Sequence, residues 1–333
     1  STANRFRVLD VAAGGHVIAD NLTIMNGAPP DDGNGGGVLV QTDGELDAQD
    51  VNIQGNATRG TGLGGGISVA DGATGNLTGG QVKDNRATAS AGGVDAEGTV
   101  KLDGVLVTLN RSQAFGGGLH TETGDSQITI TDSIFSANHG GQGSGAIDID
   151  AGTAQISGTT VRNNTAAGFG LAAGIYSTGD LTITGSRLEG NTGTSGAGQN
   201  ADGGGLDING GTATVTNTEI TGNRLVGENT QGAGVVIYGG TLTLTNSNVT
   251  NNVGSGRYAQ GGGIYADNTI TAPSLTLDHT TVSGNKVTGT GSVSGGLYTT
   301  FGTGVGSVSL VDSHITGNSS PSAPAPGGVW TDT

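Results

Sequence analysis

The stretch from Gly232 to Asn252, GAGVVIYGGTLTLTNSNVTNN, decides the fold class of this chain. It reads as three short strands joined by turns: VVI at 235–237, LTL at 242–244, and a third strand that passes through Val249 and ends at Asn252. Aliphatic residues alternate with Thr, which is the pattern of a strand with one buried face. Three such strands bring the chain back to its starting direction and form one coil of a solenoid.

Near-copies of this unit recur along the whole sequence, so the chain is a repeat array. An Asn closes each copy, at intervals of 25 to 33 residues. These residues are Asn26, Asn56, Asn85, Asn110, Asn138, Asn164, Asn191, Asn223, Asn252, Asn285 and Asn318. We interpret them as a ladder of amides, and the segments 28–35, 193–203 and 254–261 as loops at one edge. The prediction is one all-β solenoid domain over residues 1–333, with about eleven three-strand coils.

The composition excludes several classes of protein. There are 12 Lys and Arg against 28 Asp and Glu, for a formal charge of −16, which argues against nucleic acid because phosphate binding needs clustered basic residues. No apolar run is long enough to cross a membrane, so we expect no membrane insertion of this segment. The chain has no Cys, which removes thiol chemistry and disulfides and fits a secreted protein.

The repeated motifs GG-[IVL], L-T-[LI]-T and S-x-[VI]-x-x-N resemble the polymorphic outer-membrane-protein repeats and related right-handed parallel β-helix proteins of bacterial surfaces. The resemblance covers nearly the whole chain and implies a right-handed parallel β-helix that is secreted or on the cell surface. Typical copies carry Phe at the third position before the Asn, where this chain has only Phe135. That family uses one frame for adhesins, exported surface proteins and sugar-processing enzymes. The last residues begin a twelfth coil, so we expect open ends, either of a fragment or of a unit that associates head to tail.

The repeat register places an acidic patch on the outward face of the first strand, over three adjacent coils. Its members are Asp95, Glu97, His120, Glu122, Asp148 and Asp150. Unit charges one strand apart repel by about 1 kcal/mol even in water. Three explanations stay open: a solvated acidic face, a Ca²⁺ site built from Glu97, Glu122, Asp148 and Asp150, or carboxylates with raised pKa values that act in glycoside chemistry.

Aromatic residues follow on the same outward face. They are Tyr176, Tyr238, Tyr265, Tyr298 and Trp330. Such rings form a stacking platform for sugars, or they reflect the preference of aromatic residues for strands.

A second outward array of Thr-x-Thr pairs, such as Thr182 with Thr184, resembles the surfaces of ice-binding proteins and is interrupted by Gln155 and Lys101.

These observations predict an extracellular or cell-surface rod that acts as an adhesin or structural protein and binds a polysaccharide or a host or cell-surface ligand. The enzyme alternative is a polysaccharide lyase or glycoside hydrolase that uses the catalytic set Asp95, His120, Glu122, Asp148 and Asp150. Ice binding is the minor alternative. Lyases of similar fold use an Arg or Lys base beside acidic ligands, whereas Lys83, Arg162 and Arg187 are predicted on the third strand, a different face.

Overall fold

The structure is a computed structural model that describes residues 6–30, 32–168, 172–196, 198–267, 272–300, 306–321 and 327–332. Strands and turns account for the regular structure of these residues. No helix among them is long and apolar enough to span a bilayer.

Three parallel sheets run along the molecule, and each coil contributes one strand to each sheet. The strands of sheet 1 are Leu9–Val11, Val38–Val40, Ile67–Val69, Val94–Ala96, Leu119–Thr121, Ile147–Ile149, Ile175–Ser177, Leu206–Ile208, Val235–Ile237, Ile264–Asp267, Leu297–Thr300 and Val329–Asp332. The strands of sheet 2 are His16–Asp20, Glu45–Gln49, Thr74–Thr78, Thr99–Asp103, Gln127–Thr131, Thr153–Ser157, Asp180–Thr184, Thr212–Thr216, Thr241–Thr245, Ser274–Asp278 and Ser307–Val311. The strands of sheet 3 are Thr23–Met25, Asn52–Gln54, Gln81–Lys83, Leu106–Thr108, Ile134–Ser136, Thr160–Arg162, Arg187–Glu189, Glu219–Thr221, Asn248–Thr250, Thr281–Ser283 and His314–Thr316.

Every strand pairs with its equivalent one coil further along the chain. Val235 pairs with Ile264 in sheet 1, and Leu242 pairs with Leu275 in sheet 2. Counted over the described residues, sheets 2 and 3 have eleven strands and sheet 1 has twelve. The prediction of about eleven coils is confirmed.

The apolar core is a narrow column enclosed by the three sheets. In the fifth coil, Leu119 of sheet 1, Ile130 of sheet 2 and Phe135 of sheet 3 are all fully buried. Burial alternates along Asp180–Thr184, where the two aliphatic residues are buried and the Thr residues are exposed. Aliphatic residues therefore point inward because removing their surface from water stabilises the stack.

A ladder of buried amides closes the coils, as predicted. Asn252 Nδ2 donates to Asn285 Oδ1 at 2.9 Å and to the Ile220 carbonyl at 3.0 Å. Its Oδ1 accepts from the backbone N and the Nδ2 of Asn223 at 2.9 and 3.0 Å. The same contacts continue from Asn56 to Asn318. Asn26 is wrong as a ladder member, because it is exposed and the adjacent Gly27 donates its N–H to the ladder instead.

Further strands follow the ladder Asn, in addition to the three strands predicted for each coil. In the part of the chain that the structure describes, sheet 4 consists of Arg86–Ala87, Arg111–Ser112, His139–Gly140, Thr165–Gly168, Thr192–Ser195, Arg224–Val226, Val253–Ser255 and Lys286–Thr288. Sheet 5 consists of Asn200–Asp202, Asn229–Gln231 and Tyr258–Gln260. The predicted loops 193–203 and 254–261 therefore contain strands. Segments stacked at strand spacing satisfy their backbone polar groups by pairing with each other.

Candidate functional site

The second residue of each sheet 1 strand points away from the core, and these residues form a continuous line that we call the outer row. It runs in the order Ser68, Asp95, His120, Asp148, Tyr176, Asp207, Val236, Tyr265, Tyr298 and Trp330, each paired with the next across the sheet. The predicted adjacency of the acidic and aromatic residues is therefore confirmed.

The predicted exposure of this row is wrong. Asp95 and His120 have 0 % of their surface exposed and Asp148 has 1 %. Among the acidic residues two positions further along, Glu97 and Asp150 are half-buried, and Glu122 is exposed. Three of the six predicted catalytic and metal-binding residues are thus enclosed.

Gly-rich segments before the sheet 1 strands Leu119–Thr121 and Leu206–Ile208 cover the outer row at His120 and Asp207. Gly116 has a φ of 56° and Gly203 a φ of 52°, a conformation that glycine adopts without steric cost. These turns lay the preceding backbone directly on the row. A Cβ on Gly116 would lie 2.5 Å from the Cβ of His120, and one on Gly203 would lie 2.6 Å from the Cβ of Asp207. The row is a second buried layer between sheet 1 and its covering segments.

Hydrogen bonds occupy part of the acidic cluster. Ser68 Oγ donates to Asp95 Oδ2 at 2.6 Å, and the Glu122 backbone N donates to Glu97 Oε1 at 3.0 Å. These contacts hold Asp95 and Glu97 in place through protein donors.

His120 lies between the carboxylates of neighbouring coils. Its Nε2 is 3.5 Å from Asp150 Oδ2 and 3.9 Å from Glu122 Oε1. The ring of Phe115 stacks on the imidazole with centroids 6.4 Å apart. One face of His120 is therefore apolar, and its Nε2 edge points toward carboxylate oxygens.

Burial changes the proton affinity of this cluster. It raises the pKa of Asp95 to about 7 and that of Asp148 to about 7, because desolvation disfavours a buried negative charge. Burial opposes the charge on His120, but the interaction with Asp150 and the charges of Asp148, Asp150 and Asp95 outweigh it and raise the pKa of His120 to about 8. The cluster thus contains groups that exchange protons near neutral pH.

Within the described residues, this cluster contains two groups of three side chains that could hold a metal ion. One group is Asp95, Glu97 and His120, and the other is His120, Asp148 and Asp150. In each group, one ligand atom from each side chain lies within 4.8 Å of the other two. Both contain His120, which the predicted Ca²⁺ set omitted. Glu122 belongs to neither group. The four predicted Ca²⁺ ligands Glu97, Glu122, Asp148 and Asp150 are not the set that the structure brings together, because the buried imidazole lies among them.

The aromatic part of the outer row packs as a small core of its own. The rings of Tyr265 and Tyr298 stack with centroids 5.4 Å apart, and Tyr238 meets Tyr265 edge-on at 5.9 Å. Trp330 and Val293 pack against this cluster. Tyr265 is 3 % exposed and Tyr298 is 4 % exposed, so the exposed stacking face expected from the sequence is wrong. Tyr176, at 9 %, lies in the same layer among the aspartates.

Two buried aspartates were missed at the sequence level. Asp207 is fully buried and neither of its carboxylate oxygens has a hydrogen-bond partner. Asp202 lies in sheet 5, where burial raises its pKa to about 7. Asp207 shares the register position of Asp148, which was a usable signal. The sequence carried no such signal for Asp202, because its strand falls in the segment 193–203, which was predicted as a loop.

The Thr-x-Thr array lies on the outer face of sheet 2. Thr182, Thr214 and Thr243 pair directly in adjacent coils, and Gln155 interrupts the row before Thr182. Ice binding by this face stays a prediction.

The parallel coils and the covered outer row define a solenoid protein with a lateral buried polar layer. The family model described as the right-handed β-helix region matches residues 117–332, which is more than half of the chain. The chain belongs to the right-handed β-helix family, and the predicted fold class is confirmed. Searches of curated protein sequences and of solved structures gave no match. Adhesins, polysaccharide lyases and hydrolases share this fold. The narrower resemblance to polymorphic outer-membrane-protein repeats stays a prediction.

Proposed function

We propose that this protein is a non-catalytic β-helix rod of the cell surface or extracellular space, which acts as an adhesin or structural element and binds glycans. One observation carries the proposal: the candidate catalytic residues Asp95, His120 and Asp148 are enclosed by the covering segments. A polymeric sugar cannot reach the reacting groups while those segments lie on the row. The resemblance to surface repeat proteins supports the location.

The exposed surface offers a different binding region. A groove of about 630 Å³ lies along the corner between sheets 3 and 4, and its charged lining residues are Arg59, Arg86 and Asp84. Arg111 pairs directly with Arg86 in the next coil. In a chain with a formal charge of −16, the three guanidinium groups outnumber the carboxylate of Asp84 in this region. Arginine binds carboxylate and sulfate oxygens through charge-assisted bonds, so we propose anionic glycans as the ligand class.

A glycan array and a reducing-sugar assay on the same polysaccharides test this function. We expect salt-sensitive binding to uronate-containing or sulfated glycans without release of reducing ends. Arg86→Gln should weaken binding about tenfold, because it removes one charge-assisted contact worth about 1.5 kcal/mol. The matched control is Arg224→Gln, which changes an exposed residue at the same sheet 4 position, far along the rod. Equal loss in both variants, or no binding to any anionic glycan, would contradict the proposal.

The second candidate function is glycan cleavage at the outer row. It is favoured by the pKa of about 7 for Asp95 and Asp148 and of about 8 for His120, since proton transfer is most efficient when the pKa is near the working pH. This function requires the covering segments to move. Release of reducing ends that is lost in His120→Gln would establish it in place of the non-catalytic rod.

A further inference from the structure

The outer row contains buried polar atoms that no hydrogen bond satisfies. Both carboxylate oxygens of Asp148 and both ring nitrogens of His120 lack a hydrogen-bond partner, although these residues are 1 % and 0 % exposed. Buried polar groups in folded proteins are nearly always paired, so each exception requires an explanation. Two adjacent exceptions on neighbouring strands point to a shared ligand.

The unsatisfied side chains of His120 and Asp148 lie close to the carboxylate of Asp150. One ligand atom each from His120, Asp148 and Asp150 lies within 4.8 Å of the other two. His120 Nε2 is 3.5 Å from Asp150 Oδ2. Ligands that share a metal at bond lengths of about 2.0 to 2.2 Å are separated by about 3 to 4 Å, so small side-chain rotations complete such a geometry.

Two of the other acidic residues of the cluster are each held by a protein donor through one carboxylate oxygen. Asp95 accepts a hydrogen bond from Ser68, and Glu97 accepts one from the Glu122 backbone. Glu122 itself has a side chain that is 55 % exposed. His120 and Asp148 differ from these residues because none of their polar side-chain atoms has a hydrogen-bond partner, whereas Asp95 and Glu97 each have one oxygen paired and one unpaired.

The chemistry of the three donors selects the ion. Ca²⁺ and Mg²⁺ prefer sets made only of oxygen, whereas an imidazole nitrogen beside carboxylates suits zinc and its first-row neighbours. We propose that His120, Asp148 and Asp150 bind one first-row transition-metal dication, with Zn²⁺ bound more tightly than Ca²⁺. The ion joins the adjacent strands Leu119–Thr121 and Ile147–Ile149 and neutralises the acidic residues enclosed beneath the covering segments.

Metal titration of the full chain tests the site. After treatment with a chelator and its removal, the protein should bind one Zn²⁺ by calorimetry, and the unfolding temperature should rise by several degrees, because an ion that binds only the folded state stabilises it. Millimolar Ca²⁺ should give a much smaller shift. Co²⁺ should bind at the same site and give visible absorption bands that saturate at one equivalent.

Variants separate this site from ordinary surface binding. Asp148→Asn and His120→Gln should each lower Zn²⁺ affinity at least about tenfold and remove the thermal shift. If either variant fails to fold, the half-buried Asp150→Asn serves the same purpose. The control is His314→Gln, which changes an exposed His of the strand His314–Thr316. Unchanged Zn²⁺ binding in the outer-row variants, or no stoichiometric binding by the parent chain, would overturn the proposal and leave protonated aspartates as the explanation of the unsatisfied atoms.

Discussion

Replacing Asn252 with alanine is expected to lower the free energy of unfolding by about 3 to 6 kcal/mol, because several buried polar groups lose their partners at about 1 to 3 kcal/mol each. The Asn252 side chain is fully buried. Its loss leaves the Asn223 backbone N–H, the Asn223 amide and the Ile220 carbonyl without the bonds that they now make. Chemical denaturation followed by circular dichroism measures the change.

The matched control for this prediction is Asn248→Ala in the same coil. Asn248 is an exposed residue of the strand Asn248–Thr250, so its replacement should change stability by no more than about 0.5 kcal/mol. Because a solenoid is stabilised by contacts between neighbouring repeats, Asn252→Ala is also expected to broaden the unfolding transition or divide it into two. A ladder variant that unfolds at the same denaturant concentration as the control would refute a stabilising role of the ladder.

The protein is expected to lose stability as the pH rises from 5 to 8, and Asp207→Asn is expected to remove much of that loss. Burial raises the pKa of Asp207 well above its ordinary value, and the charges of Asp202 and Asp148 raise it further. Tyr176 and Tyr238 also face this carboxyl and carry raised pKa values of their own, chiefly from burial. No basic side chain contributes to the shift of Asp207.

The sign follows from proton linkage. A carboxyl whose pKa is raised by folding holds its proton more tightly in the folded state than in the unfolded state. Its stabilising contribution is complete below the unfolded pKa of about 3.9 and is lost as the pH rises through the folded pKa. For Asp202, a shift from 3.8 to about 7 corresponds to about 4 kcal/mol, at about 1.4 kcal/mol per pKa unit. The loss should therefore be large and should occur above about pH 4.

Thermal unfolding at pH 5, 6, 7 and 8 in the presence of a chelator measures this dependence. Asp207→Asn should lose less stability than the parent between pH 5 and pH 8, since the amide has nearly the same shape and cannot ionise. The control Asp125→Asn changes an exposed residue and should follow the parent at every pH. A parent protein that is equally stable at pH 5 and pH 8 would show that these aspartates are not enclosed as the structure describes.

The local sequence pattern predicted the strands of each coil and their inward faces well, because each coil contacts only the coils next to it. The alternation in Leu181-Thr182-Ile183-Thr184 was enough to assign the inward and outward faces of that strand. Asn252 was identified as a ladder residue from its spacing alone. Asn26 was misplaced by one residue, because the first coil carries Gly27 at the ladder position and an Asn just before it.

For the candidate site, the sequence predicted only the order in which its residues follow one another across sheet 1. Register placed His120 between Asp95 and Asp148, and the structure pairs them in that order. Exposure could not be derived in the same way, because it depends on where the Gly-rich segments before each strand run. The turns at Gly116 and Gly203 reverse those segments onto the row, and Gly occurs so often in this chain that no single one marks a turn.

The sequence by itself determined the parallel solenoid, its register and the neighbours of every residue on the first strand, because these follow from a repeat that each coil satisfies with the next. Only the tertiary structure decided that this outward face is buried and that Asp148, Asp207 and His120 lack hydrogen-bond partners. Whether the outer row is covered depends on the segments before the sheet 1 strands. These segments vary in length and have little sequence pattern, and their path is set by packing between neighbouring coils.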